Sequence, residues 1–226
     1  MIYNVLEFGA VADGETLCTD AVQKAIEKCS ADGGGIVRFE GGRYALSTVF
    51  LRSNVTVEIT KNATVLGSLN FDDYRPDEKV DYPLYQDASH SFFHCSMFVA
   101  EGCENIKITG KGKVDMRSVW DEKDVRIMSH RGAKCIALKN CKNVEISNLE
   151  IYNATDLAVY FAGCENVDVF GIKCACILMA SHLIILKTCV FMIATWKQET
   201  TPLFSNRLIR STVWIFVKIF AYGTVD

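Results

Sequence analysis

Three short segments of the chain lie over one another: GCENIKI at 102–108, NCKNVEI at 140–146 and GCENVDV at 163–169. A looser fourth copy, LRSNVTVEI, occupies 51–59. Each sets Asn ahead of an apolar–polar–apolar alternation, the period-two pattern of a strand with one buried face. Asn143 and Asn166 stand 23 residues apart, a length suited to one turn of a solenoid. Repeats of roughly 20 to 50 residues mark stacked units, and the sequence between these copies is short strands and turns, not helical pairs. The pattern predicts an all-β parallel β-helix. In such a stack each residue lies over its counterpart, so Cys103, Cys141 and Cys164 stack internally and the asparagines ladder at a turn. Because Asn suits turns, its recurrence is read as structural.

One helix is expected, near the start. TDAVQKAIEKCSADGGG offers Asp20 as N-cap with Gln23 three residues on, Val22, Ala25, Ile26 and Cys29 on one face, and Gly33 to Gly35 as its stop. A solenoid with a bare first edge invites aggregation, and an amphipathic helix there covers it. The triple glycine lacks the Lys-Ser/Thr that follows in a phosphate-binding loop.

At 226 residues, half of them hydrophobic and 23% charged, the composition is that of a soluble globular domain. A net charge of -3 without a basic run argues against nucleic acid and anionic lipid as partners. The opening MIYNVLEFGAVADG has no export signal, so a cytoplasmic location is expected. The ten cysteines are spread along the chain and are read as reduced core residues.

Residues 3–68, from YNVLEFGAVADG through AVQKAI, GGGIVRFEGGRY and NATVLGS, closely resemble the start of glycoside hydrolase family 28, the polygalacturonase family. ITGKGKVDMRSVW at 108–120 and RGAKCIALKNCKNVEISNLEIYNA at 131–154 resemble the stretches that follow it. Glu40 stands where the family often has Pro. The resemblance runs to about residue 173. It implies a right-handed single-stranded parallel β-helix of the pectin-lyase type with an N-terminal capping helix. It also implies hydrolysis of α-1,4-galacturonosyl bonds in pectic oligo- or polysaccharide, with inversion and no cofactor. Inversion needs an acid and a base roughly 6.5–9.5 Å apart, with water between. In the family these carboxylates come from Asn-x-Asp and Gly-Asp-Asp motifs, followed by Gly-His-Gly and Arg-Ile-Lys. None of the four occurs after Lys173, so no catalytic residue is assigned in this chain.

From Cys174 onward the chain changes character. No Asp appears until Asp226, Glu199 is the sole other acid and Gly223 the sole glycine, whereas solenoid turns need Gly, Asn and Asp. Reading the degenerate codons one nucleotide out of register lets Gln198 to Arg207 encode Gly-Asp-Asp-Ala-Phe-Val-Leu-Lys-Ser. The same offset permits Asp-Gly-Ile from LMASHLIILKTCVF and another strand repeat from WIFVKIFAYGT. The expectation is a β-helical portion over 1–173 and a frameshifted, non-native tail over 174–226. Ile177 to Trp196 is long enough to span a bilayer, but His182 and Lys187 lie inside it, and a central lysine costs roughly 2.5–3.5 kcal/mol on insertion. A membrane partner is therefore not expected.

Of the carboxylates before the change, Asp115, Asp121, Asp124, Asp156 and Asp168, the last sits at an outward strand position and is read as solvated. Trp120 followed by Asp121 and Asp124 suits either a sugar platform or an ordinary loop with a partly buried Trp, the second weighing more. Asn153 and Asp156 end a strand that in the family lies near the substrate cleft. Candidate substrate contacts are thus Trp120, Asp121, Asn153 and Asp156. His90, His94 and His130 have no metal-ligand spacing with Cys95 or Cys135, and no metal is assigned. Three functions stay open: a polygalacturonase-type hydrolase whose catalytic coil is missing from the written chain, a non-catalytic polysaccharide-binding or structural β-helix, and a lyase or epimerase relative.

Overall fold

A computed structural model describes residues 1–76, 78, 93–118, 132–155, 157–175, 198–199 and 212–219. The chain begins with β1 (Ile2–Asn4) and β2 (Asp13–Leu17), then α1 (Thr19–Ala31). Successive coils of three strands follow. The first comprises β3 (Gly35–Phe39), β4 (Gly42–Leu46) and β5 (Val49–Phe50). The second comprises β6 (Val55–Ile59), β7 (Ala63–Gly67) and β8 (Ser96–Glu101), the third β9 (Glu104–Thr109), β10 (Lys113–Asp115) and β11 (Lys134–Lys139). The fourth has β12 (Lys142–Ser147), β13 (Glu150–Tyr152) and β14 (Val159–Ala162), and β15 (Glu165–Ala175) opens a fifth.

Like strands stack in parallel from coil to coil. The first sheet runs β1-β3-β6-β9-β12-β15, the second β2-β4-β7-β10-β13 and the third β5-β8-β11-β14. Strand β15 turns the corner at Gly171, whose φ is +64°, and pairs with β12 before the bend and β13 after it. The register stacks apolar residue on apolar residue: Val37, Val57, Ile108, Ile146 and Val169 form one internal column, all buried. Tyr44, Val65, Val114, Ile151 and Cys174 form another on the second sheet. Each such side chain contributes roughly 1.5–3 kcal/mol by burial, so the column, more than any one strand, holds the fold. Outside, opposite charges face each other between coils, with Arg38 on Glu58 at 2.7 Å and Lys107 on Glu145 at 2.8 Å.

The repeated asparagines ladder as expected. Asn105 donates its amide to Asn54 at 2.8 Å, Asn143 to Asn105 at 3.0 Å and Asn166 to Asn143 at 3.1 Å. All four have φ between 53° and 64°, the left-handed region that Asn tolerates better than other residues with a Cβ. The cysteines two positions earlier stack beside the ladder. Cys103, Cys141 and Cys164 each donate to a backbone carbonyl of the coil before, those of Leu51, Ala100 and Leu138. The described cysteines are free thiols, buried apart from the half-buried Cys103.

The helix lies where expected and ends before Gly33, but its N-cap is Cys18 and not Asp20, which falls in the first turn. The start moves back because Thr19 is tied to the first coil: its hydroxyl accepts from the Ser47 amide at 2.9 Å. Gln23 is freed from a capping role. It instead receives the Phe50 amide at 2.8 Å and donates to the Phe50 carbonyl at 3.2 Å, meeting both groups of the edge strand β5.

The tail contributes β16 (Gln198–Glu199) and β17 (Thr212–Ile219), which pair antiparallel with each other. Strand β17 also runs antiparallel along β15, from Val167 opposite Ile219 to Cys174 opposite Val213, with a shift of register between Val169 and Ile172. Every pairing within the coils is parallel.

Candidate functional site

The turns between third and first sheets, and between first and second, are short. The connection from second sheet to third is only 47–48 in the first coil, but it becomes 68–95, 116–133 and 153–158 in the next three, each starting from the same corner of the stack. In a solenoid such insertions collect on one face, commonly the binding face.

Three coils build that corner. Asp115 ends β10, and its Oδ1 accepts both the Arg117 amide and the Asn153 side-chain amide at 2.8 Å. Asn153 follows β13 directly above, at φ 56°, and its carbonyl accepts the Ser118 amide at 3.0 Å. Arg117 and Ser118 are themselves left-handed, at φ 54° and 57°. Two consecutive residues with side chains in that region carry backbone strain, which gathers at functional sites. The carboxylate-to-amide clamp between coils holds them there. One coil below, Arg117 Nε donates to the Gly67 carbonyl at 2.5 Å. Burial pulls the Arg117 guanidinium below its ordinary pKa, against the raising influence of Tyr74 and Asp115. Tyr74, pushed up by burial, points its hydroxyl to the Ser68 carbonyl at 3.3 Å. The packing is tight: a Cβ on Gly132 would come within 1.6 Å of Thr155 Oγ1, so only glycine fits.

The structure thus places Asn153 in the corner, paired to Asp115. Trp120, Asp121, Asp124 and Asp156 lie outside the described residues. Asp168 faces outward as expected, in register with Glu145. Sequence reasoning missed Arg117 and Tyr74. Neither stands at a repeated position, and no residue preference signals a left-handed arginine. Among the described residues no group of three His, Cys, Asp or Glu converges to hold a metal ion, and no helix is long and apolar enough to cross a membrane.

Comparison with known proteins gives this corner a context. Residues 29–176 match the model of glycosyl hydrolases family 28. The chain is 32% identical over 117 residues to an exo-poly-alpha-D-galacturonosidase of Dickeya chrysanthemi, covering 50% of the chain and 19% of that protein. It is 28% identical over 179 residues to the plasmin and fibronectin-binding protein A of Streptococcus pneumoniae, covering 73% of the chain and 22% of that protein. The chain therefore spans about a fifth of the length of these relatives. The exopolygalacturonase of Thermotoga maritima superposes with a TM-score of 0.65 at 20% identity, over 78% of the chain and 47% of that structure. At that identity the likeness speaks to the fold, a right-handed parallel β-helix.

Proposed function

The chain belongs to glycosyl hydrolase family 28, and we propose that it is built on the polygalacturonase pattern, engaging pectic α-1,4-galacturonan along the corner where the long connections leave the stack. The observation that carries this reading is that the strands these connections join end at the same corner of in-register coils, within the span that matches the family. An intact catalytic coil of this kind hydrolyses the galacturonosyl bond with inversion, through an acid and a base on opposite sides of it. In the chain as written that coil is replaced: residues 174–226 carry none of the family's acid motifs, and an offset of one nucleotide permits Gly-Asp-Asp at Gln198–Thr201. Losing both members of an acid/base pair removes the main catalytic terms, so the written chain binds without turnover. The family match ending at residue 176 supports this division of the chain.

Two measurements test it. The written chain, incubated with polygalacturonate, should release no reducing ends, whereas a chain translated in the offset frame from residue 174 should release them with inverted anomeric configuration by NMR. Robust turnover by the written chain overturns the reading. So do codons at Gln198–Thr201 that forbid Gly-Asp-Asp.

A second reading, a β-helix that serves binding alone, is supported by the similarity to a pneumococcal protein named for binding plasmin and fibronectin. It separates from the first because the offset-frame chain then stays inactive.

A further inference from the structure

Three cysteines open successive coils at one position. Lys142 is in register with Glu104 of the coil below and Glu165 of the coil above, so Cys141, one residue earlier, lies between Cys103 and Cys164. Backbone bonds run through the same column, from the Lys142 amide to the Cys103 carbonyl at 3.0 Å and from the Glu165 amide to the Cys141 carbonyl at 2.9 Å. The three side chains point alike, because their acceptors are equivalent. Cys103 Sγ meets the carbonyls of Glu101 and Leu51, Cys141 Sγ those of Lys139 and Ala100, and Cys164 Sγ those of Ala162 and Leu138, all at 3.4–3.8 Å. Ala100 and Leu138 are themselves in register.

Neighbouring parallel rungs stand about 4.8 Å apart. Side chains that point alike keep that spacing at Cβ, wider than the roughly 3.5–4.5 Å that a disulfide takes. A metal–sulfur bond is about 2.3 Å, so a cation with two sulfurs in line spans about 4.6 Å, close to the spacing of the rungs. Thiolates select soft cations, copper(I) among them, and a closed-shell monovalent cation of this kind accepts two ligands in a line. Such a site needs no third side chain. Of the two gaps in the column, the lower one is reached from solvent: Cys103 is half-buried, whereas Cys141 and Cys164 are buried. Arg52 stands at the foot of the column, its guanidinium donating at 3.2 Å to the Leu51 carbonyl that Cys103 Sγ also meets. Burial raises the Cys103 pKa, with Cys141 adding to it, and the charge of Arg52 acts against both.

We infer that Cys103 and Cys141 form a two-sulfur site for a soft monovalent cation of the copper(I) class, bridging the third and fourth coils beside the asparagine ladder. Binding forms two metal–sulfur bonds and releases the two thiol protons to solvent, with no change of oxidation state. Two thiolates and one monovalent cation leave a single negative charge, and Arg52 lies next to it. The site is independent of the pectic reading, since the column sits at the turn from the third sheet to the first, away from the corner.

The test is anaerobic loading of the 226-residue chain with copper(I), followed by dialysis against the copper(I) chelator bicinchoninate. Cys176 and Cys189, which lie outside the described residues, are first replaced by serine. One equivalent of copper should be retained, and X-ray absorption should count two sulfur neighbours around it. Cys103→Ser and Cys141→Ser should each lose that equivalent, and Cys29→Ser, in the capping helix, should keep it. Cys103 is half-buried, and a serine there still offers a donor to the Leu51 and Glu101 carbonyls, so this variant keeps the fold even if Cys141→Ser does not. Circular dichroism checks both. Retention of copper by a folded Cys103→Ser overturns the site, as does failure of the parent chain to retain any. Three or four sulfur neighbours overturn it as well.

Discussion

The two ends of the coil stack are closed by different means. At the N-terminal edge, α1 lies across the first coil with Val22, Ala25, Ile26 and Cys29 buried against it. Gln23 there occupies both hydrogen-bonding groups of Phe50 as a neighbouring strand would. At the other edge β15 meets β17, whose direction opposes every rung beneath it and whose register slips between Val169 and Ile172. The Asn ladder stops at Asn166, which donates to Asn143 and receives no amide from a further coil among the described residues. One edge is finished by side chains shaped for it, whereas the other has the chemistry of a rung awaiting another parallel rung. Edge geometry, more than strand content, distinguishes a terminus that was fitted from one that is merely covered.

The contrast is sharpest in the internal column. Ile146 lies between Ile108 and Val169, with coils on both sides. Ile146→Ala should cost about 2–5 kcal/mol of stability. Val169→Ala, at the edge, should cost less than half of what Ile146→Ala costs in the same urea titration. Equal costs would mean that β17 packs as tightly as a coil.

A middle-sized effect is expected in the ladder. Asn143→Ala removes two amide contacts, to Asn105 and Asn166, and puts a strained left-handed alanine in their place. It should cost about 2–3 kcal/mol. Asn166→Ala breaks one contact and should cost about 1 kcal/mol less. The difference vanishes if the tail supplies Asn166 with a second partner, and chemical denaturation of both variants decides.

The smallest effect concerns the caps themselves. Gln23→Ala should cost about 1–2 kcal/mol through the two lost bonds to Phe50. A chain ending at Ala175 should unfold at nearly the unaltered denaturant midpoint but self-associate in sedimentation as the β15 edge is bared. A truncated chain that is monomeric and much less stable would show that β17 is a true cap.

Much of this was legible in the sequence. The asparagine spacing, the alternation after it and the amphipathic run at 19–31 are local patterns, and each reports its own strand, turn or helix. The helix cap was misread because a local rule favoured Asp20, while a contact to Ser47, 28 residues away, fixed the start. The corner escaped for a similar reason. Asp115 and Asn153 are 38 residues apart, and connections of unequal length separate the coils. Their meeting is settled by which rung stacks on which.

The ladder shows the division of labour within one motif. Its partners are separated by 51, 38 and 23 residues, so no fixed period announces the pairing. The sequence by itself determined that the chain would form short half-buried strands opening on turn-forming asparagines, because side-chain alternation and turn preference act over a few residues. Only the tertiary structure decided that Asp115 meets Asn153 and that β17 opposes the stack. Such juxtapositions depend on register between coils, which is fixed when the apolar columns close against one another.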